Sequence, residues 1–489
     1  MSPHTNLKAN ALSGAKWNFI GHAGRQSIAF LVSIVLARLL TPREFGLLAV
    51  LFIFQEIANA LVNSGLNAPL VQEKSISSLD CSTVFYFNVA VAVACYLTLL
   101  AGAHQIALFY REPELNNLIA YYGVVFLIYA LGNIQLGLLL RELDFRRLNT
   151  IDLIGVGCSG FVAIFMALRG YGVYSLVGQQ ISHAIITSAL YWLNSSWRPT
   201  FAFSVASFRR FFRFGSRVLV VSLLDKALNT LDNLVIGRVE GVAFAGQYSR
   251  GKNTRELPIA LLTGVITSLV FPLFSRITNP SKLRDAHARF VGFVTYLSAP
   301  AMVGMALVAE PLITVIYSAK WLPAVPFLQL FCLFGITVPL NSILVQTIMS
   351  RGDGGGLLRL ELRKKSVLVS SIGIGALGGA VGLVWALCLG HYVMLFMSMR
   401  FVARLLDTSV RSILAAALPG VGLSVLMALP VYLVGRVAWA GPHVELLVSV
   451  GTGLASYWAL SAALGSRDYL FAKELISSRL RSQQSGRRA

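Results

Sequence analysis

Apolar runs about as long as a membrane-spanning helix recur from one end of this chain to the other, and short polar segments separate them. A helix that crosses a bilayer needs about 20 consecutive, mostly apolar residues. Hydrophobic residues make up 56% of the 489 residues and charged residues 13%, so the chain is more apolar and less charged than soluble domains are. We therefore predict an all-α polytopic membrane protein.

The apolar runs predict fourteen transmembrane helices. The run after Lys365 must be broken, and the glycines at 378, 379 and 382 are the cluster able to turn it. The predicted spans are Trp17–Leu40, Phe45–Leu61, Val84–Ala103, Leu118–Leu140, Ile151–Leu168, Val173–Leu193, Gly215–Val235, Leu257–Phe274, Phe290–Val308, Ala324–Met349, Ser366–Leu377, Leu383–Val402, Ile413–Leu433 and Val444–Leu464.

The 41 Lys and Arg residues lie mainly at the two ends of the chain and in the loops that follow even-numbered spans. Cytoplasmic loops are enriched in these residues, so both termini are predicted to be cytoplasmic. This topology explains the net charge of +20, and no nucleic-acid partner is expected. The basic segments 359–365 and 479–488 are predicted to contact anionic lipid headgroups.

The segment that begins at Gly14 has a counterpart that begins at Gly215. This internal match suggests a duplicated helix bundle, with chance similarity as the alternative. We predict a first lobe of six spans at residues 1–205, a second lobe of six spans at 206–405, and two additional spans with a basic cytoplasmic tail at 406–489. The match pairs Arg25 with Lys226 and, after a one-residue deletion, Gly46 with Gly246.

Several short motifs resemble those of the Wzx polysaccharide exporters, and their order and spacing are more specific than any single motif. The motifs are SGAKW (13–17), LAR (36–38), FGLL (45–48), NSGLNAPLVQ (63–72), RELDF (141–145), RFG (213–215), LVFPLFSRI (269–277) and AKWLPAVPFLQL (319–330). The similarity covers residues 10–400 and is greatest to the colanic-acid and xanthan types of exporter.

The resemblance implies a member of the multidrug/oligosaccharidyl-lipid/polysaccharide exporter superfamily, with two six-helix lobes, two additional helices and alternating access around a central cavity. The implied cargo is an undecaprenyl-pyrophosphate-linked oligosaccharide repeat unit. It would be flipped from the cytoplasmic to the periplasmic leaflet of the bacterial inner membrane, for exopolysaccharide, O-antigen or capsule export. A polysaccharide polymerase and chain-length or export proteins are the implied partners.

Two other functions compete with this one. A drug or cation antiporter of MATE-like architecture would want buried acids in excess of buried bases, whereas the first helix presents a base. An enzyme acting on polyprenyl-linked glycans would want a large extracytoplasmic loop, and the loops here are short. The sequence contains no HExxH, GxSxG or phosphate-loop motif, so we expect no enzyme, no metal and no cofactor.

Cations inside the predicted spans are the sharpest candidates for substrate binding, because a charge within a membrane is costly and usually functional. Arg25 lies near the first third of the first span and shares a helical face with His22. Lys226 lies in the seventh span and could share a face with Asn229. We predict that all four contact the substrate, with the two cations holding its pyrophosphate. The alternatives are a structural ion pair and snorkelling.

Arg255 is the fifth predicted substrate contact. Together with Arg250 and Lys252 it precedes the predicted eighth span. These three cations either line the outer mouth of the cavity or form an exposed loop.

Acids within the spans are candidates for binding a coupling proton or Na⁺. They are Glu56 in the second span and Asp225 and Asp232 in the seventh, and they could equally serve only to neutralise the cations. Polar residues such as Gln55 and His183 could bind sugar hydroxyls, or they could hydrogen-bond between helices.

Overall fold

The computed structural model of the chain describes residues 21, 24–64, 70, 73, 76–142, 144–437 and 439–465. Within these ranges the chain is helical, with short connections and no strand. The prediction of an all-α fold is confirmed. Ten of the described helical segments are long and apolar enough to cross a membrane.

The helices follow one another with few intervening residues. The first, α1, covers residues 24–39. The next are α2 (Pro42–Ser64), α3 (Ser78–Tyr110), α4 (Glu114–Arg141), α5 (Phe145–Leu168), α6 (Val173–Asn194), α7 (Val205–Val239), α8 (Val242–Arg276), α9 (Pro280–Leu307) and α10 (Ala309–Tyr317). After a 3₁₀ turn at Ala319–Ala324 come α11 (Val325–Gly335), α12 (Thr337–Ser350), α13 (Gly354–Ala376), α14 (Gly379–Leu405), α15 (Val410–Gly435) and α16 (Pro442–Ala463).

Each of the fourteen predicted spans overlaps at least one of these helices, although the number that cross a membrane stays a prediction. The predicted glycine break is confirmed, because α13 ends at Ala376 and α14 begins at Gly379, whose φ of +66° favours glycine. The tenth predicted span is divided between α11 and α12. The seventh span, within α7, is outside the ten apolar segments, since Asp225, Lys226 and Asp232 interrupt it.

Side chains that precede the helices satisfy their first amide groups. At the start of α3, Ser77 and Asp80 form a reciprocal capping box, in which each side chain accepts from the other's backbone N–H. Asp144 caps α5, and Asn279 caps α9 immediately before Pro280. Helix boundaries are therefore set by residues outside the apolar runs.

The contacts divide the chain into two compact units, residues 1–246 and 247–489. In the first unit α4 packs against α3 and α6, α5 packs against α6, and α7 packs against α2 and α3. In the second unit α9 packs against α15, and α13 packs against α14. The predicted lobe boundaries at residues 205 and 405 stay predictions.

Two glycines of the first unit make a close contact between α2 and the start of α8. A Cβ on Gly46 would lie 1.7 Å from the carbonyl oxygen of Val242, and one on Gly246 would lie 1.9 Å from that of Pro42. Only glycine permits this approach of two backbones. The internal sequence match pairs these same two glycines, and the duplication itself stays a prediction.

Candidate functional site

An ion pair joins α7 to α2 within the first unit. The Lys226 ammonium donates to the Glu56 carboxylate, and the two side chains are 47% and 32% exposed. The residues are 170 positions apart in the chain, so their pairing could not be predicted from the sequence. It brings together one residue predicted to bind substrate and one predicted to couple transport to an ion.

The other polar residues of α7 lie next to this pair along the helix. Asn229 Nδ2 donates to Asp225 Oδ2 at 3.1 Å, so these two side chains share a helical face. Asp232 is buried, and its Oδ1 accepts from the backbone N–H of Asn233 at 2.9 Å. These polar residues therefore follow one another along α7, with Asp225 half-buried and Asn229 exposed.

Arg25 is half-buried on α1, which lies along α5. Small residues allow the two helices to approach: a Cβ on Gly24 would lie 3.3 Å from Leu153, and one on Gly160 would lie 2.4 Å from Val32. The charge of Arg25 acts on both His183 and Tyr191 of α6. His22, predicted to share the face of Arg25, lies outside the described residues.

Sequence reasoning missed a polar cluster inside the first unit. Tyr129 Oη on α4 lies 2.8 Å from His183 Nδ1, and Tyr191 Oη donates to Asp152 Oδ1 on α5 at 3.2 Å. The charge of Asp152 also acts on His183. Asp152 follows the first residue of the predicted fifth span, so a charge at a span end was an available signal. The two tyrosines carried none, because tyrosine is common at membrane interfaces.

Gln55 illustrates the alternative role predicted for intramembrane amides. It is buried on α2, and its Oε1 accepts from the hydroxyl of Tyr122 on α4. This bond holds two helices together, as amides commonly do in membrane bundles.

Two arginines of the second unit lie in aromatic surroundings. Arg250 is 4% exposed, and its guanidinium carbon lies 4.7 Å from the ring centroid of Tyr317 and 4.8 Å from that of Trp321. Arg255 is 6% exposed, 5.2 Å from the ring of Phe334 and 5.5 Å from that of Phe331. Aromatic faces attract a cation electrostatically, so both guanidinium groups are accommodated away from water. We call these two sets of residues the aromatic cages.

The structure corrects one prediction for this segment. The exposed loop proposed for the three cations is wrong for Arg250 and Arg255, which lie buried within the helix α8. That helix begins at Val242, and its apolar part at Pro258–Arg276 agrees with the predicted eighth span at Leu257–Phe274. Arg255 Nη2 donates to Glu256 Oε2 at 2.8 Å. Its Nε and Nη1 have no hydrogen-bond partner within the described part of the chain.

The basic segment 359–365 is only partly a surface. Arg359 and Arg363 are exposed, as headgroup contact requires, whereas Lys364 is buried. The Lys364 ammonium donates to Glu361 at 2.7 Å and to Asn341 Oδ1 at 3.2 Å, so its predicted contact with headgroups is wrong. The second basic segment, 479–488, lies outside the described residues.

The second unit also contains an apolar cavity of about 830 Å³. It lies among α9, α10, α15 and α16. Residues that line it include Tyr296, Pro300, Met427, Val431, Tyr457 and Trp458. Such a lining suits an apolar ligand.

Comparison with known proteins gives relatives that are named for polysaccharide biosynthesis. The lipopolysaccharide biosynthesis protein WzxC of Escherichia coli (strain K12) is 26% identical over 77% of this chain and 77% of its own length. The succinoglycan biosynthesis transport protein ExoT of Rhizobium meliloti (strain 1021) is 25% identical over 81% of this chain and 80% of its own. The resemblance to Wzx polysaccharide exporters is confirmed.

The fold is shared with solved transporters. The inward closed structure of the lipid II flippase MurJ matches with a TM-score of 0.75 at 14% identity, over 94% of this chain and 99% of that one. An inward-facing multidrug resistance MATE family transporter of the MOP superfamily matches with a TM-score of 0.61 at 14% identity, over 78% of this chain and 94% of its own.

A family profile described as "Polysaccharide biosynthesis protein" matches residues 35–326. That range is more than half of the 489-residue chain, and the protein therefore belongs to this family of multi-pass membrane proteins.

Proposed function

We propose that this protein is a flippase for an undecaprenyl-pyrophosphate-linked oligosaccharide repeat unit. It moves the unit from the cytoplasmic to the periplasmic leaflet of the bacterial inner membrane by alternating access. The relatives are named for polysaccharide biosynthesis and its transport, and the fold is that of a lipid II flippase. The observation that carries the proposal is Lys226, an intramembrane cation whose acid partner is partly exposed.

The pair of Lys226 and Glu56 gives the site a resting state and a loaded state. Without substrate, Glu56 neutralises Lys226. A pyrophosphate group competes with Glu56 for the same ammonium. The displaced carboxylate then becomes available to a proton or Na⁺, which links substrate binding to ion binding. Asp225 and Asp232 are further candidates for the coupling ion.

Arg25 and Arg255 supply the remaining cationic contacts of the proposal. A guanidinium can hold two phosphate oxygens at once, which a single ammonium cannot do. His22 and Asn229 would contact the polar part of the cargo. The apolar cavity of the second unit suits the polyprenyl chain, since its lining is almost free of polar atoms.

In this proposal both termini are cytoplasmic, and a polysaccharide polymerase and export proteins receive the flipped unit. The exposed cations of segment 359–365 contact anionic lipid headgroups. Alkaline phosphatase fused after Gly435 should then be active, and the same enzyme fused after Ser466 should be inactive. Activity at the second site would contradict the topology.

The experiment that tests the function is depletion of the protein, followed by analysis of polyprenyl-linked glycans in each leaflet. Flipping predicts that complete repeat units accumulate in the cytoplasmic leaflet. Unchanged lipids with altered drug sensitivity would favour an antiporter of the MATE type, whose fold is similar. An altered glycan structure would favour an enzyme.

A further inference from the structure

A cluster of titratable side chains lies inside the first unit, away from the pair of Lys226 and Glu56. Its members come from four helices: Arg25 on α1, Tyr129 on α4, Asp152 on α5, and His183 and Tyr191 on α6. The coupling residues proposed above include none of them. Among these groups histidine is the side chain whose ordinary pKa lies nearest to neutral pH.

The ring of His183 is oriented by its neighbours. On one side of the ring, Tyr129 Oη lies 2.8 Å from Nδ1. The other nitrogen, Nε2, faces α5, where a Cβ on Gly155 would lie 3.3 Å from it. Gly155 is one turn beyond Asp152 and lies on the same side of α5, so Nε2 faces the part of the helix that carries the carboxylate. A proton taken up at Nε2 therefore enters a site with a fixed anion nearby.

The charges of this cluster balance without that proton. Arg25 contributes one positive charge and Asp152 one negative charge, and both act on His183. An anion that arrives at Arg25 leaves an excess of negative charge in a low-dielectric interior, where such an excess is costly. Protonation of His183 offsets part of it.

We propose that His183, oriented by Tyr129 and adjoining Asp152, is a proton-binding site linked to anion binding at Arg25. This inference rests on the proposed function, because it takes Arg25 as a contact of the pyrophosphate. Binding linkage is reciprocal, so proton and anion each raise the other's affinity. The affinity for the anion therefore rises as pH falls, by up to about tenfold per pH unit where His183 titrates.

Other titratable groups around the imidazole come from α1, α4, α5 and α6. They are Arg25, Tyr129, Asp152 and Tyr191. Glu56 is a proposed ion-binding residue, so the test must distinguish it from His183.

The experiment measures proton uptake when undecaprenyl pyrophosphate binds the purified full chain in detergent. Calorimetric titrations at pH 7 in two buffers of different ionisation enthalpy give the number of protons taken up. Wild type, His183→Gln, Asp152→Asn and Glu56→Gln are compared, so protons released or bound by the ligand itself cancel. His104→Gln is the matched control, since His104 is an exposed histidine of the same unit.

We expect His183→Gln to take up fewer protons than wild type, by up to one per ligand, and His104→Gln to match wild type. Asp152→Asn should also take up fewer, because the cluster then already carries an uncompensated positive charge. If His183→Gln does not fold, the proton uptake of Asp152→Asn tests the inference instead. Uptake that falls in Glu56→Gln but stays at the wild-type level in His183→Gln and Asp152→Asn would overturn the inference.

The same titrations separate this inference from the proposed function. Arg25→Ala should bind undecaprenyl pyrophosphate at least tenfold more weakly, about the loss of one charge-assisted hydrogen bond. If Arg25→Ala binds as wild type does, the proposed function fails at this residue. If Arg25→Ala loses binding while His183→Gln keeps full proton uptake, only the proton site fails.

Discussion

The two units hold their cations in different ways. In the first unit Lys226 is paired with an acid, and nearly half of its side chain is exposed. In the second unit Arg250 and Arg255 are buried against aromatic rings. An ion pair in partial contact with solvent is worth little and can exchange one partner for another. A caged guanidinium can leave its rings only if the surrounding side chains repack.

This difference suggests two roles for the cations: exchange of a bound anion in the first unit and structural support in the second. The exposed pair of the first unit suits a site that binds an anion, releases it and resets. The aromatic cages suit a fixed positive potential, and they also join α8 to the chain segment from Tyr317 to Phe334. We therefore expect substitution of Lys226 to change transport and substitution of Arg250 to change stability.

The largest expected effect is the loss of transport when the cations of the first unit are substituted. Arg25→Ala and Lys226→Ala should each lower export by about 10- to 100-fold, because charge-assisted contacts to the anion are lost. Neither should lose protein from the membrane. Arg25→Lys should keep much of the activity, since it lacks only the two-pronged contact. The double alanine variant decides whether the cations share one anion: a common clamp predicts a loss well short of the product of the singles.

The free energy of unfolding should respond in the opposite order, with a larger effect at Arg250 than at Lys226. Arg250→Ala should destabilise the purified protein by at least about 2 kcal/mol, because a desolvated cation–π contact with two rings is lost. Lys226→Ala should change stability by less than about 1 kcal/mol, as expected for a partly exposed pair. Thermal unfolding of both variants measures this. Greater destabilisation by Lys226→Ala than by Arg250→Ala would break the comparison.

Substitution of Glu56 instead of Lys226 tests what the acid contributes to the ion pair. Glu56→Gln frees Lys226 from its partner, so affinity for undecaprenyl pyrophosphate should rise by about two- to fivefold. If Glu56 also carries the coupling ion, gradient-driven accumulation should be lost in this variant. Asp225→Asn and Asp232→Asn are the parallel tests. Wild-type accumulation in all three would remove ion coupling through these acids.

Salt dependence is the smallest expected effect. At about 1 M salt the Debye length falls to about 3 Å, which screens exposed charges and leaves buried ones largely unaffected. The stability difference between wild type and Glu56→Gln should then vanish, while that between wild type and Arg250→Ala should persist. Thermal unfolding at low and high salt measures both, and an equal salt response would count against the distinction between the units.

Much of the fold was predictable because the membrane fixes the length of an apolar helix. The glycine break at 378–379 was predictable for a related reason, since a longer run must turn where glycine permits it. The start of α8 was not predictable from hydropathy. Arg250 and Arg255 interrupt the apolar pattern. The rings that accommodate them lie in a later part of the chain, between Tyr317 and Phe334.

The candidate site was predictable residue by residue but not as an arrangement. Lys226 and Glu56 were both identified as intramembrane charges, yet their contact depends on the packing of α7 against α2. His183 was identified as a polar residue within a span, whereas Tyr129 and Asp152 became relevant only through their positions beside it. Spacing along one helix predicts which side chains share a face, and it says nothing about the facing helix.

The most direct test of flipping uses the purified protein in sealed vesicles that contain an undecaprenyl-pyrophosphate-linked oligosaccharide in both leaflets. A membrane-impermeant enzyme that degrades the oligosaccharide is then added outside. With wild-type protein we predict that the oligosaccharide of the inner leaflet is also degraded, whereas with Lys226→Ala only the outer leaflet's share should be lost on the same timescale. Protection of the inner leaflet by wild-type protein, in vesicles shown to hold it folded, would contradict the account.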